Sequence, residues 1–315
     1  MKNRIRLIVV LLGLLFFAAC ETPISMKLPE KAGTTVIEGW IENELPAIVA
    51  VSNSMSYYSK IDFNTIFDCV DTSATVIVTD DMGNSEILQL GFCMEHIFGV
   101  IGKVYVGKTI KGIPGHTYNL FVKTANGNEY TAQTYIPANK VQIDTIMFRV
   151  NNPAKDTALP VSLYIRNNPS TYDCYRFFTR ISNSNVPLPL FLQGLKYCYG
   201  AVGCLDNLAF GDTLYFEAFH GSVSNLSGIT SMMSREEREE FCRSLFRPGD
   251  TVIVRTALID VDSYKYWFTM QLDMGGNPMM EPGFHKTNLK GNNVTGIWSG
   301  YHARYDTIAF PKVEK

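Results

Sequence analysis

The first residue placed to do chemistry is a thiol. Lys2, Arg4 and Arg6 precede thirteen uninterrupted apolar or glycine positions, Leu7 to Ala19, and the run ends Ala18-Ala19-Cys20. A membrane-spanning helix needs about 20 apolar residues, so this stretch is too short to span and fits the hydrophobic region of a signal peptide. Two small residues before a cysteine define a lipoprotein signal, with Phe17 where leucine is usual. In that chemistry the Cys20 sulfur is acylated, for instance by palmitate, the preceding peptide bond is cut, and Cys20 becomes the new N-terminus. Two or three acyl chains hold a protein stably at a membrane where one does not.

Six further cysteines follow: Cys69, Cys93, Cys174, Cys198, Cys204 and Cys242. An even number in an exported chain suits disulfides. Division of the chain into two halves pairs Cys69 with Cys93, and the expected bridges in the second half are Cys198–Cys204 and Cys174–Cys242. Closing the first loop contributes about 3 kcal/mol in the chain-entropy picture. The competing reading is six buried free thiols. A zinc site is disfavoured, because no C-x-x-C and no histidine pair at ligand spacing occurs.

Catalytic patterns are absent from the sequence. His96, His116, His220, His285 and His302 are scattered, with no H-E-x-x-H. There is no G-x-S-x-G elbow, phosphate loop or dinucleotide fingerprint. His220-Gly221-Ser222 lacks the nucleophile that an esterase loop would serve. Glu236, Glu237, Glu239 and Glu240 crowd one short helix and read as a solvated face. Removing Lys2, Arg4 and Arg6 from the 28 basic residues leaves 25 against 30 acidic ones, a net charge of −5. A nucleic-acid surface needs clustered Lys and Arg, so that class is excluded. The expectation is a non-enzyme with no cofactor and no metal.

Residues 1–19 are read as the signal peptide and 20–33 as a lipidated tether, lacking periodicity and carrying Pro23, Pro29 and Gly33. Fully extended, residues 21–33 reach about 43 Å, at roughly 3.3 Å per residue. With 46% hydrophobic and 12% aromatic residues the remainder can fill real cores. Period-2 alternation dominates. Val36, Glu38 and Trp40 alternate with Ile37, Gly39 and Ile41, and Ile48–Ser52 and Thr75–Thr79 follow the same rule. The cluster Asp80 to Asn84 is a hairpin turn rather than a calcium loop. Pro114-Gly115 with Tyr118 three residues on resembles a tyrosine corner, and Asn126-Gly127 turns the chain into Glu129–Ile136.

Residues 34–138 therefore read as an immunoglobulin-like β-sandwich of about seven strands, with Tyr57–Cys69 as a long loop. Residues 139–315 read as a second β-rich domain, with strands at Val141–Val150, Val161–Arg166, Tyr175–Ile181, Thr213–Phe219 and Thr251–Ile259. Short helices are expected near 234–246, opened by a Ser234 capping box, and near 262–273. In the latter, Tyr264, Trp267, Phe268 and Leu272 form an apolar stripe. Tyr57, Tyr58, Tyr197 and Tyr199 lie in predicted loops, where stacking rings could serve a glycan or peptide. The irregular stretch Asn183–Asp212 is the leading candidate for an interaction surface.

Several of these stretches together resemble a Bacteroidota lipoprotein family described as domain of unknown function 4249. Thr35-Val36-Ile37-Glu38-Gly39-Trp40-Ile41 is similar to its opening V-x-E-G-x-I strand. Pro114 to Tyr118 and Ile136-Pro137 sit where its first domain closes. Pro248-Gly249-Asp250-Thr251-Val252, with Tyr264-x-Tyr266-Trp267, resembles its second-domain core. Val294 to Tyr301 is a looser version of its glycine-rich closing segment. The resemblance implies an outer-membrane lipoprotein, facing surface or periplasm, accessory to a TonB-dependent nutrient transporter; it supplies no catalytic residues. A glycan- or peptide-capturing module and an adhesin or fimbria-like subunit are the alternatives, the last because such sandwiches polymerise by donating strands.

Overall fold

The computed structural model describes residues 33–55, 69–93, 102–148, 161–183, 200–218, 250–274 and 285–309. The first half supplies β1 (Thr35–Glu42), β2 (Pro46–Asn53), β3 (Thr75–Asp80), β4 (Ser85–Ile87), β5 (Gln89–Cys93), β6 (Gly102–Lys111), β7 (Thr117–Lys123) and β8 (Glu129–Tyr135). The second supplies β9 (Ile143–Phe148), β10 (Val161–Arg166), β11 (Cys174–Asn183), β12 (Gly200–Asp206), β13 (Thr213–Ala218), β14 (Thr251–Ile259), helix α1 (Val261–Met274) and β15 (Val294–Ala309). The chain is mainly β, as the alternation predicts.

One eight-stranded sheet runs β12-β11-β14-β15-β1-β2-β6-β5 and so takes strands from both sides of residue 138. A four-stranded sheet, β4-β3-β7-β8, and a three-stranded sheet, β13-β10-β9, complete the β structure. The four-stranded sheet packs on β1, β2 and β6 through Ile37, Val49, Val76, Leu120 and Val122. The three-stranded sheet packs on β11 and β14 through Leu163, Ile165, Phe177, Val252 and Val254. Full burial of each such side chain contributes roughly 1.5–3 kcal/mol. Two hydrophobic cores thus lie against one common sheet, and the first of them takes Leu289 and Trp298 from beyond residue 138.

Strand β15 makes the join. Its first half pairs in parallel with β1, Thr35 facing Val294 and Glu42 facing Tyr301. Its second half pairs antiparallel with β14, Ile259 facing Tyr301 and Thr251 facing Ala309. Two of the sequence motifs that carry the family likeness, Thr35–Ile41 and Val294–Tyr301, therefore lie side by side. Gly39 faces Trp298, and a Cβ at Gly39 would stand 2.9 Å from the Trp298 ring. The glycine makes room for the indole, which crosses into the first core fully buried. Gly296 answers a different need: its φ of +116° is left-handed backbone, and a Cβ there would meet the Ile37 carbonyl oxygen at 2.0 Å.

The tyrosine corner is present. Tyr118 is fully buried, its hydroxyl accepting from the Ile113 amide at 2.7 Å and donating to the Lys111 carbonyl at 3.3 Å. The Trp298 indole N–H donates to the Tyr118 carbonyl at 3.0 Å, so the closing strand is bolted to the corner. Asp80 takes amides from Met82 (3.1 Å) and Asn84 (2.8 Å), the geometry of a side-chain-closed turn. Gly127 turns the β7–β8 hairpin at φ +80°.

Three expectations are revised. The stretch 183–212 is not wholly irregular: β12 lies inside it and pairs with β11. The buried face of α1 is rotated from the predicted stripe. Ser263, Tyr266 and Trp267 are buried with Tyr264, whereas Leu272 is 49% exposed. Lastly, Cys69, Cys174 and Cys204 are free thiols, so the bridges Cys69–Cys93, Cys198–Cys204 and Cys174–Cys242 are not formed. Cys174 and Cys204 occupy neighbouring strands but stand out of opposition, Cys174 facing Asp206 and Cys204 facing Arg176. Burial pushes both thiols up to about 12, which keeps them protonated and unreactive. The helix expected near 234–246 lies outside the described residues.

Candidate functional site beneath helix α1

Alternation along β1 sends Ile37, Gly39 and Ile41 to the first core and Glu38, Trp40 and Glu42 to the opposite face. That second face continues across the sheet through Tyr301 and Ala303 of β15, Arg255 and Ala257 of β14, and Cys174, Arg176 and Phe178 of β11. Helix α1 lies over it. Asp260 caps the helix: its carboxylate accepts the Ser263 amide at 2.7 Å, and its carbonyl accepts the Tyr264 amide at 2.9 Å. The same carboxylate takes the Thr134 hydroxyl, tying the helix start to the end of β8. At the sheet edge, Gln271 of α1 accepts the Cys204 amide at 2.8 Å and so closes β12 against further pairing.

Four charged side chains occupy this covered face. Glu42 and Arg255 form an ion pair, both almost completely buried, and the Tyr305 hydroxyl donates to the second Glu42 oxygen. The Arg255 guanidinium also lies 4.3 Å from the centroid of Phe178 and 5.0 Å from that of Tyr301. Burial alone would weaken its proton affinity, but Glu42 and the neighbouring tyrosines outweigh that and hold it above the ordinary arginine value. Arg176 is stacked on the Trp267 ring at 3.4 Å and donates to the Tyr301 hydroxyl at 2.6 Å. Cation–π contacts of this desolvated kind reach about 2 kcal/mol.

Glu38 is the exception, partly open at the margin of the helix. Desolvation raises its pKa, with Arg176 and the Tyr266 hydroxyl, 3.5 Å away, pulling it part of the way back. Desolvation and the Glu38 charge likewise hold Tyr266 well above the usual tyrosine range. His285 closes the margin, its ring 5.8 Å from Tyr266 and its Nδ1 3.2 Å from the Thr269 hydroxyl. A raised carboxyl favours the folded state below the unfolded glutamate value and loses that advantage as pH rises through the folded one. Glu38→Gln is therefore expected to gain stability relative to wild type as pH rises above the unfolded glutamate value of about 4.3, levelling above the folded pKa. Urea midpoints across that range measure it, and a pH-independent difference would contradict the burial of this carboxylate.

Two carboxylates and two guanidiniums share this face, and of the four Glu38 stands at the solvent margin while the others are buried. The Arg255–Glu42 pair ties β14 to β1, and the Tyr266–Glu38 and Trp267–Arg176 contacts tie α1 to β1 and β11. Sequence reasoning passes over Arg176, Arg255 and Glu42, because a charged residue inside an alternating strand normally marks the solvent face. The signal was the spacing Glu38, Trp40, Glu42, which puts a large aromatic on the same face as two carboxylates. Tyr57, Tyr58, Tyr197, Tyr199 and Cys20 lie outside the described residues, as do the side chains of Cys93, Cys198 and Cys242. Among the described residues, no group of three or more His, Cys, Asp or Glu is placed to hold a metal ion. No helix among them is long and apolar enough to cross a membrane.

The family profile "Domain of unknown function (DUF4249)" matches residues 21–306. The chain belongs to that family, and the match begins one residue after Cys20 and ends within β15. No curated protein matches it.

Proposed function

We propose that this chain is a non-enzymatic lipoprotein of the outer membrane that serves as an accessory to a TonB-dependent nutrient transporter. The observation that carries the reading is the run from Lys2 to Ala18-Ala19-Cys20, whose length and ending suit acylation of the Cys20 sulfur. Two further features support it. The chain is a member of a family whose resemblance suggests the transporter context, and the buried Glu42–Arg255 pair of the α1 face is closed on itself. A lipid at Cys20 would confine the body to two dimensions and raise its effective concentration near a membrane partner.

Metabolic labelling tests the anchor. Labelled palmitate is expected to enter the wild-type chain, and Cys20→Ser is expected to remove the label and leave the signal uncut. An unlabelled wild-type chain overturns the reading. Co-purification from native detergent tests the partner: recovery of an outer-membrane transporter supports the accessory role, and a chain recovered alone refutes it.

A further inference from the structure

We infer that β1 is a mechanical clamp, built so that tension arriving through the N-terminal segment is resisted by a whole strand at once. The inference takes the source of that tension, a membrane tether before Gly33, from the proposed function; the clamp itself rests on topology alone. Strand β1 begins at Thr35 and is a central strand, paired on both flanks: eight residue pairs with β15 and six with β2. Its neighbour β15 runs parallel to it and continues beyond it to Ala309. Pulling Thr35 away from the Ala309 end therefore drags β1 along its own axis. Both ladders are loaded in shear, and their hydrogen bonds must fail together rather than one after another.

Side chains on both faces oppose that sliding. On one face the Trp298 ring sits over Gly39, so close that a Cβ there would stand 2.9 Å from it, and any axial shift of β1 carries backbone or side chain into the indole. On the other, Glu42 at the far end of β1 is held by Arg255 and Tyr305. At the near end the Tyr130 hydroxyl donates to Thr35 Oγ1 at 3.0 Å, and the Thr35 amide to the Asn293 carbonyl at 3.0 Å. A strand that merely belonged to a core would need no such fastening at each end. Forced unfolding is governed by the barrier to rupture rather than by equilibrium stability, so shear resistance at β1 is a property separate from the stability of the sandwich.

Single-molecule pulling on the chain from residue 20, carrying Cys20→Ser, decides it. In one version handles are fused at residue 20 and after Lys315, which loads β1 against β15 lengthwise. In the other, the second handle is inserted in the exposed Ala125–Asn128 turn. That turn lies at the same end of the sandwich as Thr35, since Tyr130 just beyond it bonds Thr35, and pulling from it peels the strands apart sequentially. The lengthwise geometry is expected to rupture at clearly higher force, while both versions share one urea midpoint. Equal forces, or a weaker lengthwise rupture, overturn the clamp. Lowered midpoints in the turn-handled version are met by moving that handle to the exposed Asp81–Gly83 turn at the opposite end of the sandwich. Pulled against residue 20 it must then rupture at a force comparable to the lengthwise case, or the clamp is again refuted. Because the pulled chain carries no lipid, failure of palmitate labelling removes the proposed source of tension and leaves this measurement standing.

Discussion

Trp298→Ala is expected to lower stability by about 3–5 kcal/mol, the range for emptying a fully buried tryptophan site. The indole is completely enclosed and belongs to the core of the first sandwich, although the sequence places it near the other end of the chain. Truncation opens a cavity between β1 and the tyrosine corner and leaves the Tyr118 carbonyl without its 3.0 Å donor. Gly39→Ala tests the same contact from the opposite side. Its new methyl would stand 2.9 Å from the indole and 3.0 Å from a Val49 methyl, an overpacking that costs about 1–3 kcal/mol. The informative quantity is the coupling. With the ring removed, the alanine at position 39 fills space instead of clashing, so the double variant should be less destabilised than the summed singles. Strict additivity by urea unfolding would mean that Gly39 and Trp298 do not share a site.

That contact also marks the limit of what the residues alone disclose. Alternation in Val36–Ile41, Thr75–Thr79, Val161–Arg166 and Thr251–Ile259 makes those strands legible, because a half-buried strand must repeat every two residues. The corner at Tyr118 is legible for a similar reason: a Pro-Gly turn three residues ahead of a tyrosine is local. The pairing of β1 with β15 is not local. It joins residues more than 250 positions apart, and no short-range pattern records which strand a strand will meet. The glycines of Val294–Tyr301 read as a loose closing segment, yet they belong to the longest strand among the described residues, where they admit the neighbouring backbone closely.

The buried face of α1 departs from the apolar stripe for a physical reason too. A stripe through Tyr264, Trp267, Phe268 and Leu272 maximises apolar contact, but the surface that the helix covers holds two arginines and two glutamates. Tyr266 suits that surface better than Leu272 does, because its ring lies among aromatics while its hydroxyl reaches Glu38. The candidate site was therefore the least legible part of the molecule. Buried charges look like solvent-facing ones until the partner strands are known.

Arg255→Met is expected to destabilise the chain by about 3–5 kcal/mol, because it strands a buried Glu42 without its counter-charge. Glu42 would keep only the Tyr305 hydroxyl as donor, too little for a carboxylate removed from water. Glu42→Leu should do comparable damage from the other side, leaving the Arg255 guanidinium with the faces of Phe178 and Tyr301 alone. The double variant, Glu42→Leu with Arg255→Met, is expected to return close to wild type, since a well-packed apolar pair avoids the desolvation that the ions suffer. Raising salt should change none of these differences by much, because the pair is shielded from solvent where surface pairs are screened. If the double variant instead remains as unstable as either single one, the pair contributes more than charge balance: its geometry would be what sets β1 against β14 across β15. If Arg255→Met alone leaves the urea midpoint unmoved, the guanidinium is not enclosed between Phe178 and Tyr301, and the α1 face is open to solvent.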